Sequence, residues 1–270
     1  MTLKRRELCA AAASALLLNA CASPLDRPDA QAATKELTST GKLRAAINLG
    51  NPILASQDAG TESRGVSVDL AREAARRLGV PIELVVFNSA GRVVEAVKSR
   101  EVDLAFVAID PVRGADMDYT APYVIIEGAY LVRQGSPLQR NEDVDRAGTR
   151  IVVGRGSAYD LYLSREIHAA TLVRAPTSPA VTDLFIADQL DVAAGVRQQL
   201  EADGRRVGNS VRLLPGRFMV IEQAMAVPKG RLAAQAWLSR FIEEMKASGF
   251  VDEALRRHGI EGAAVAPPAR

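Results

Sequence analysis

From Gly41 to Gly259, apolar runs of strand length alternate with segments of helical period, and no other feature of the chain narrows the possible folds as far. Residues 43–49 form an apolar run. Val68, Leu70, Ala71, Ala74, Ala75 and Leu78 then mark one face of a helix that should stop at Gly79. Residues 81–87 read as the next strand, residues 91–100 as a helix and residues 102–109 as a third strand. Strands joined through helices run parallel, so the pattern calls for a mainly parallel sheet with crossover helices. A second series begins after Tyr130 and a polar connection at 134–148. It has strands at 151–153, 171–174, 191–195 and 211–214, and helices from Ser157 to about 167 and from Pro179 to about 190. The last part, through Ala224 and a helix at 231–247, has too few strands to stand alone and should return to the first set. Two lobes with chain crossings near 128 and 222 are implied, and a cleft between hinged lobes is a usual place for a small ligand.

The segment Asp110-Pro111-Val112-Arg113 follows the third strand directly. Asp is a favoured helix cap and Pro suits the first helical position, so a short helix is expected to start here. A cation in the first turn gains nothing from the helix dipole. Arg113 therefore either faces solvent from a surface helix or faces an anion.

The N-terminus has the layout of an export signal, with Lys4, Arg5 and Arg6 before an apolar stretch too short to span a bilayer. Two processing sites overlap. An A-x-A cut would fall before Ser23, while Leu18-Asn19-Ala20-Cys21 resembles a lipobox and would leave Cys21 as a lipid anchor. A periplasmic location is expected either way. Cys9 and Cys21 are the only cysteines among 270 residues, so the mature domain can have neither an internal disulfide nor a cysteine-based site. His168 and His258 lie far apart and suggest neither a zinc pair nor a triad. With a formal charge of +2 and basic residues interleaved with acidic ones, no nucleic-acid partner is expected.

Several motifs together resemble the family-3 extracellular solute-binding proteins, the periplasmic receptors of amino-acid-type ABC importers. They are Gly41-Lys42-Leu43-Arg44, Gly65-Val66-Ser67-Val68-Asp69-Leu70, Arg77-Leu78-Gly79-Val80, Val102-Asp103-Leu104, Asp110-Pro111-Val112-Arg113, Asp118-Tyr119-Thr120-Ala121-Pro122-Tyr123 and the loop 154–158. The likeness covers about residues 40–260. It implies an α/β, two-lobed periplasmic-binding-protein type II fold, each lobe a mainly parallel sheet flanked by helices. Residues 1–22 would be the signal peptide, 23–39 a flexible leader, 40–128 and 223–262 the first lobe, 129–222 the second, and 263–270 a disordered tail. The implied protein is a monomer without metal or cofactor. It is not an enzyme, and it delivers a small carboxylate, an amino acid or an amine-free organic acid, to an inner-membrane ABC permease.

The same resemblance assigns Arg113 to the ligand carboxylate, where a planar fork of donors suits two oxygens. Ala108 and Phe106 would add backbone contacts, and Ser157 and Ala158 would face the ligand from the other lobe, with Ser157 free to cap its own helix as well. Where many members carry an acidic residue for the ligand ammonium, this chain has Val196 followed by Arg197. An unpaired ammonium in a closed cleft is costly, which favours an amine-free acid unless Glu222 or Asp110 supplies the carboxylate. The aromatic common after the first strand is replaced at Asn51. Arg155 and Arg197 would either add positive charge to the cleft or face solvent. The competing readings are an exported enzyme similar to cyclohexadienyl dehydratases, with Glu222 or Asp110 as acid or base, and a ligand-binding input for a membrane sensor.

Overall fold

The computed structural model describes residues 26–57 and 62–269. The expected signal segment 1–22 and Cys21 lie outside the described residues. In chain order the helices are α1 (Asp26–Leu37), α2 (Val66–Leu78), α3 (Ala90–Lys98), α4 (Ala158–Glu166), α5 (Val181–Ala187), α6 (Arg197–Val207), α7 (Leu232–Ala247) and α8 (Phe250–Arg257). The strands are β1 (Leu43–Asn48), β2 (Ser56–Gln57), β3 (Ser63–Arg64), β4 (Ile82–Phe87), β5 (Leu104–Ala108), β6 (Met117–Arg133), β7 (Arg150–Gly154), β8 (Thr171–Ala175), β9 (Val192–Val196), β10 (Val211–Leu213), β11 (Met219–Pro228) and β12 (Ala264–Val265).

Ten of the strands form one continuous sheet in the order β4-β1-β5-β11-β6-β9-β7-β8, with β10 and β12 also paired to β6, and β2 pairs with β3 in a separate two-stranded sheet. Each end is parallel: β1 pairs with β4 and β5, and β7 pairs with β8 and β9. The middle departs from the parallel expectation. There β11 runs antiparallel to both β5 and β6, and β6 runs antiparallel to β9. The departure arises because β6 follows β5 without a helix and β11 returns between them. A single 17-residue strand, β6, thus serves both ends.

The apolar periodicity read from the sequence becomes burial. Along α2, Val68, Leu70, Ala71, Ala74 and Ala75 are buried, and Gly79 ends the helix with φ 67°, a conformation that costs glycine little. Leu43, Ile47, Leu70 and Leu104 belong to a core cluster that continues through Ile126 to Ile151 and Val192, so the two ends share packing. Smaller clusters lie under α3, around Val93, Val97 and Val107, and under α5, around Phe185 and Leu131. Full burial of each large aliphatic side chain contributes roughly 1.5–3 kcal/mol.

Asp103 fastens the first end. It is fully buried, receives Arg44 through Nε at 2.8 Å and Nη2 at 2.9 Å, and receives Arg231 Nη1 at 2.8 Å. One carboxylate therefore joins β1, the start of β5 and the start of α7.

Three local expectations change. Much of the supposed flexible leader is α1: Ala33 and Leu37 are four residues apart and buried, α1 packs on α7, and Glu36 accepts the Ala234 backbone N–H at 2.8 Å. That bond caps a helix whose own first residue offers none. Part of the supposed disordered tail is β12, which pairs with Val124 and Ile125. Beyond it, Ala266 donates its N–H to the Tyr123 carbonyl at 3.0 Å. The helix expected at Asp110 is only one turn of 3-10 helix, Arg113–Ala115, because β6 begins at Met117.

Candidate functional site

Asp110 still caps its turn, with Oδ1 accepting the Val112 N–H at 2.9 Å and its carbonyl accepting from Gly114 at 3.0 Å. This turn folds Arg113 back beneath the end of β5, where it is 2% exposed. Its Nη1 donates to the Ala108 carbonyl at 3.0 Å and its Nη2 to the Gly156 carbonyl at 2.8 Å, while Nε is buried without a partner. Burial pulls the Arg113 guanidinium below its ordinary pKa, opposed by the nearby Tyr119 and Asp110. An arginine nonetheless remains cationic near neutral pH. The result is a buried cation whose hydrogen bonds both go to neutral carbonyls.

Arg113 lines a cavity shared by Asn48, Gly50, Asn51, Ala90, Ala108, Ser157, Ala158, Tyr159, Ser178, Val196, Ile221 and Gln223. Its volume is about 30 Å³, space for a water or two. Three helices start at its wall. Ser89 caps α3 by accepting the Arg92 N–H, and Ser157 caps α4 by accepting the Asp160 N–H at 3.0 Å, whereas α6 starts after Val196 with no side-chain cap. Asp160 in turn accepts the Gly156 N–H at 2.8 Å and is held by Arg174, which fixes the loop ahead of α4. Positive helix ends and a guanidinium converge here, and no Asp, Glu or His lines the cavity.

Asn51, Ala108, Arg113, Ser157, Ala158 and Val196 come together at this cavity. Phe106 does not. Its side chain packs edge-on against Tyr123 in the core, and its residue pairs with Met225 in the sheet ladder, so neither side chain nor backbone reaches the cavity. Glu222 is exposed and also absent from the lining, because the alternation of β11 turns Ile221 and Gln223 inward. Asp110 is occupied by Arg165 of α4 at 3.0 Å. Arg155 is exposed, and Arg197 is engaged by Glu127 at 3.0 Å and by the Gly216 carbonyl. Sequence reasoning missed Gln223 and Ser178, while Tyr159, which the sequence allows either to reach a ligand or to pack its helix on the sheet, also lines the cavity. The Tyr159 hydroxyl is buried beside Ser157 and Ser178, which raises its pKa through desolvation.

Three contacts cross beside the cavity between the end of the sheet that carries Arg113 and the end that carries α4. These are Arg113 to Gly156, Asp110 to Arg165, and a close approach of Gly91 to Gly156. A Cβ built on Gly156, where φ is +69°, would lie 3.1 Å from the Gly91 Cα, and one built on Gly91 would lie 3.7 Å from the Gly156 Cα. A larger side chain at Gly91 therefore obstructs this approach. Gly91→Leu is expected to preserve or raise the stability of the unliganded protein, since leucine is the better helix former. It should weaken ligand binding by about 1–3 kcal/mol, roughly 5- to 150-fold, as an overpacked contact does. Calorimetric titration beside a thermal melt checks both.

Among the described residues no helix is long and apolar enough to cross a membrane, and no three potential metal ligands cluster. The model of the bacterial extracellular solute-binding proteins, family 3, matches residues 43–260. Among solved structures, the solute receptor for L-cysteine of Neisseria gonorrhoeae is 21% identical, with a TM-score of 0.74 over 87% of this chain and 94% of that one. A mutant of ArgBP from T. maritima is 21% identical, with a TM-score of 0.73 over 85% of this chain and 100% of that one. A binding component of an ABC transporter from Wolinella succinogenes, complexed with lysine, is 22% identical, with a TM-score of 0.71 over 81% and 95%. The likeness to these structures is one of fold, a mixed α/β architecture of the type II periplasmic binding proteins. A curated relative, membrane-bound lytic murein transglycosylase F of Idiomarina loihiensis, is 31% identical over 156 residues. The match covers 56% of this chain and 32% of that protein, so the chain spans about a third of the relative's length.

Proposed function

Because the chain belongs to the family-3 bacterial extracellular solute-binding proteins, we propose that it captures a small carboxylate in the Arg113 cavity and passes it to a membrane permease of the ABC type. In this reading the two ends of the sheet are hinged lobes, 40–128 with 223–262 and 129–222, and β6 and β11 carry the crossings. The observation that bears most on the reading is the buried Arg113, bonded only to carbonyls in a cavity without a carboxylate.

At about 30 Å³ the cavity is far below the 300 Å³ or more of a usual ligand site, so ligand entry requires the lobes to part. Parting frees Arg113 Nη2 from the Gly156 carbonyl, and a ligand carboxylate then takes two of the three guanidinium nitrogens, Nη2 among them. Reclosure brings the N-terminal ends of α4 and α6 onto the same anion. A ligand that touches both lobes stabilises the closed arrangement, which the permease reads.

Charge favours an amine-free acid over an amino acid. A monocarboxylate balances Arg113, whereas a zwitterion leaves one uncompensated positive charge beside three helix N-termini. The dehydratase-like alternative needs an acid or base in the cavity, and its candidates are engaged elsewhere: Glu222 is exposed and Asp110 is bound to Arg165.

A thermal-shift screen of residues 23–270 against amine-free mono- and dicarboxylates and the standard amino acids tests the proposal. A ligand that binds only the folded state raises Tm, by about 2.7 kcal/mol of stabilisation at a hundred times Kd. Amine-free acids should produce the shifts. A response confined to amino acids would reject the charge reasoning, and no response to any carboxylate would reject the receptor reading itself.

A further inference from the structure

Gln223 is the residue one position beyond the expected Glu222, and its surroundings are unusual. It is 7% exposed, lines the cavity, and has no hydrogen-bond partner for its side chain among the described residues. Its place in the sheet is also irregular. Gln223 pairs with Val124 on β6 while Ala224 pairs with Pro122, so Tyr123 is left over as a bulge beside it. Bulges bend a strand locally and re-aim its side chains. On its other edge Gln223 pairs with Ala108, whose carbonyl holds Arg113 Nη1. Gln223 on β11 and Arg113 on the turn after β5 thus line the same cavity. Asn51 shares the cavity, and its Oδ1 is buried without a partner.

The Asn51 oxygen, buried without a partner, is the kind of group that generally has a polar partner, and the Gln223 amide, which is not fully enclosed, is open to a group in the cavity. Resting on the carboxylate reading above, we infer that Gln223 and Asn51 form a second recognition point for a neutral polar group beside the ligand carboxylate, and that this group is a hydroxyl. The Asn51 oxygen accepts only, which requires a donor on the ligand. The Gln223 amide both donates and accepts, which a hydroxyl can answer in either sense. A 2-oxo group cannot donate to Asn51. A 2-ammonium can, but it finds only neutral oxygens and adds positive charge beside Arg113. The 2-hydroxy acids are the class that satisfies all three residues.

Two matched series test this by calorimetric titration: propanoate, L-lactate, pyruvate and L-alanine, and glutarate, 2-hydroxyglutarate, 2-oxoglutarate and L-glutamate. In wild type the hydroxy member of at least one series should bind about tenfold tighter than its amino, oxo and unsubstituted counterparts. Gln223→Leu should lower affinity for the hydroxy member about tenfold more than affinity for the unsubstituted acid, a split that loss of structure alone would not produce. Gln223→Glu, of nearly the same shape, should reverse the order in favour of the amino member. An amino-acid preference in wild type, or an advantage of the hydroxy acid that survives both substitutions, overturns the role of Gln223 and leaves the carboxylate reading standing. Failure of wild type to bind any of the eight overturns both.

Discussion

Arg113→Ala is expected to abolish the ligand-induced rise in Tm. Two charge-assisted hydrogen bonds to a buried carboxylate contribute about 1.5–3 kcal/mol each, so their loss should raise Kd at least about 100-fold. The fold should persist, because Arg113 bonds only to the Ala108 and Gly156 carbonyls and no carboxylate would be left without its cation. Far-UV circular dichroism should match wild type. Arg113→Lys should retain part of the response, since an ammonium supplies the charge without the planar fork. The unliganded Ala variant should also be more open, having lost one of three contacts across the cavity, and small-angle scattering should show a larger radius of gyration. A full ligand response from Arg113→Ala would remove this residue from the site.

The second large effect lies away from the cavity. Asp103→Ala leaves Arg44 and Arg231, whose side chains are 17% and 12% exposed, without the buried carboxylate they share. Breaking a buried ion pair on one side costs about 3–5 kcal/mol. In a protein of this size about 2–4 °C accompanies each kcal/mol, so Tm should fall by roughly 6–20 °C. Ligand affinity at a temperature where the variant is folded should stay near wild type, because Asp103 does not line the cavity. A fall of less than about 3 °C would mean that the two arginines find water when the carboxylate is removed.

The elements whose sequence carried its own signal were legible. The apolar runs at 43–49, 81–87 and 102–109 lie on β1, β4 and β5, and the face from Val68 to Ala75 is the buried side of α2. Helix α1 was not legible, because a segment of mostly polar residues and Ala has no apolar stripe of its own. It is held by burying Ala33 and Leu37 on α7 and by Glu36, which caps the start of α7 nearly 200 residues away. At the cavity, the first-turn position of Arg113 correctly marked it as unusual, although the helix that suggested this shrank to a single turn. The slip from Gln223 to Glu222 is one of parity. Alternation says that neighbours face opposite ways, but not which of them faces inward, and the bulge at Tyr123 is invisible in a single sequence. The pairing of Asp110 with Arg165 depends on how the two ends meet, information that neither segment carries alone.

The position of β11 between β5 and β6 sets the order in which this chain can become a protein. A ribosome has released both β5 and β6 by residue 133, yet the strand that joins them is not complete until Pro228. For about a third of synthesis both strands present bare hydrogen-bonding edges toward each other, and α7 and α8, which cover this end, come later still. Pairing across so much sequence is slow to form, so the chain remains threadable and open to chaperones until its final quarter emerges. Truncation before residue 228 should yield an aggregating fragment and no smaller domain.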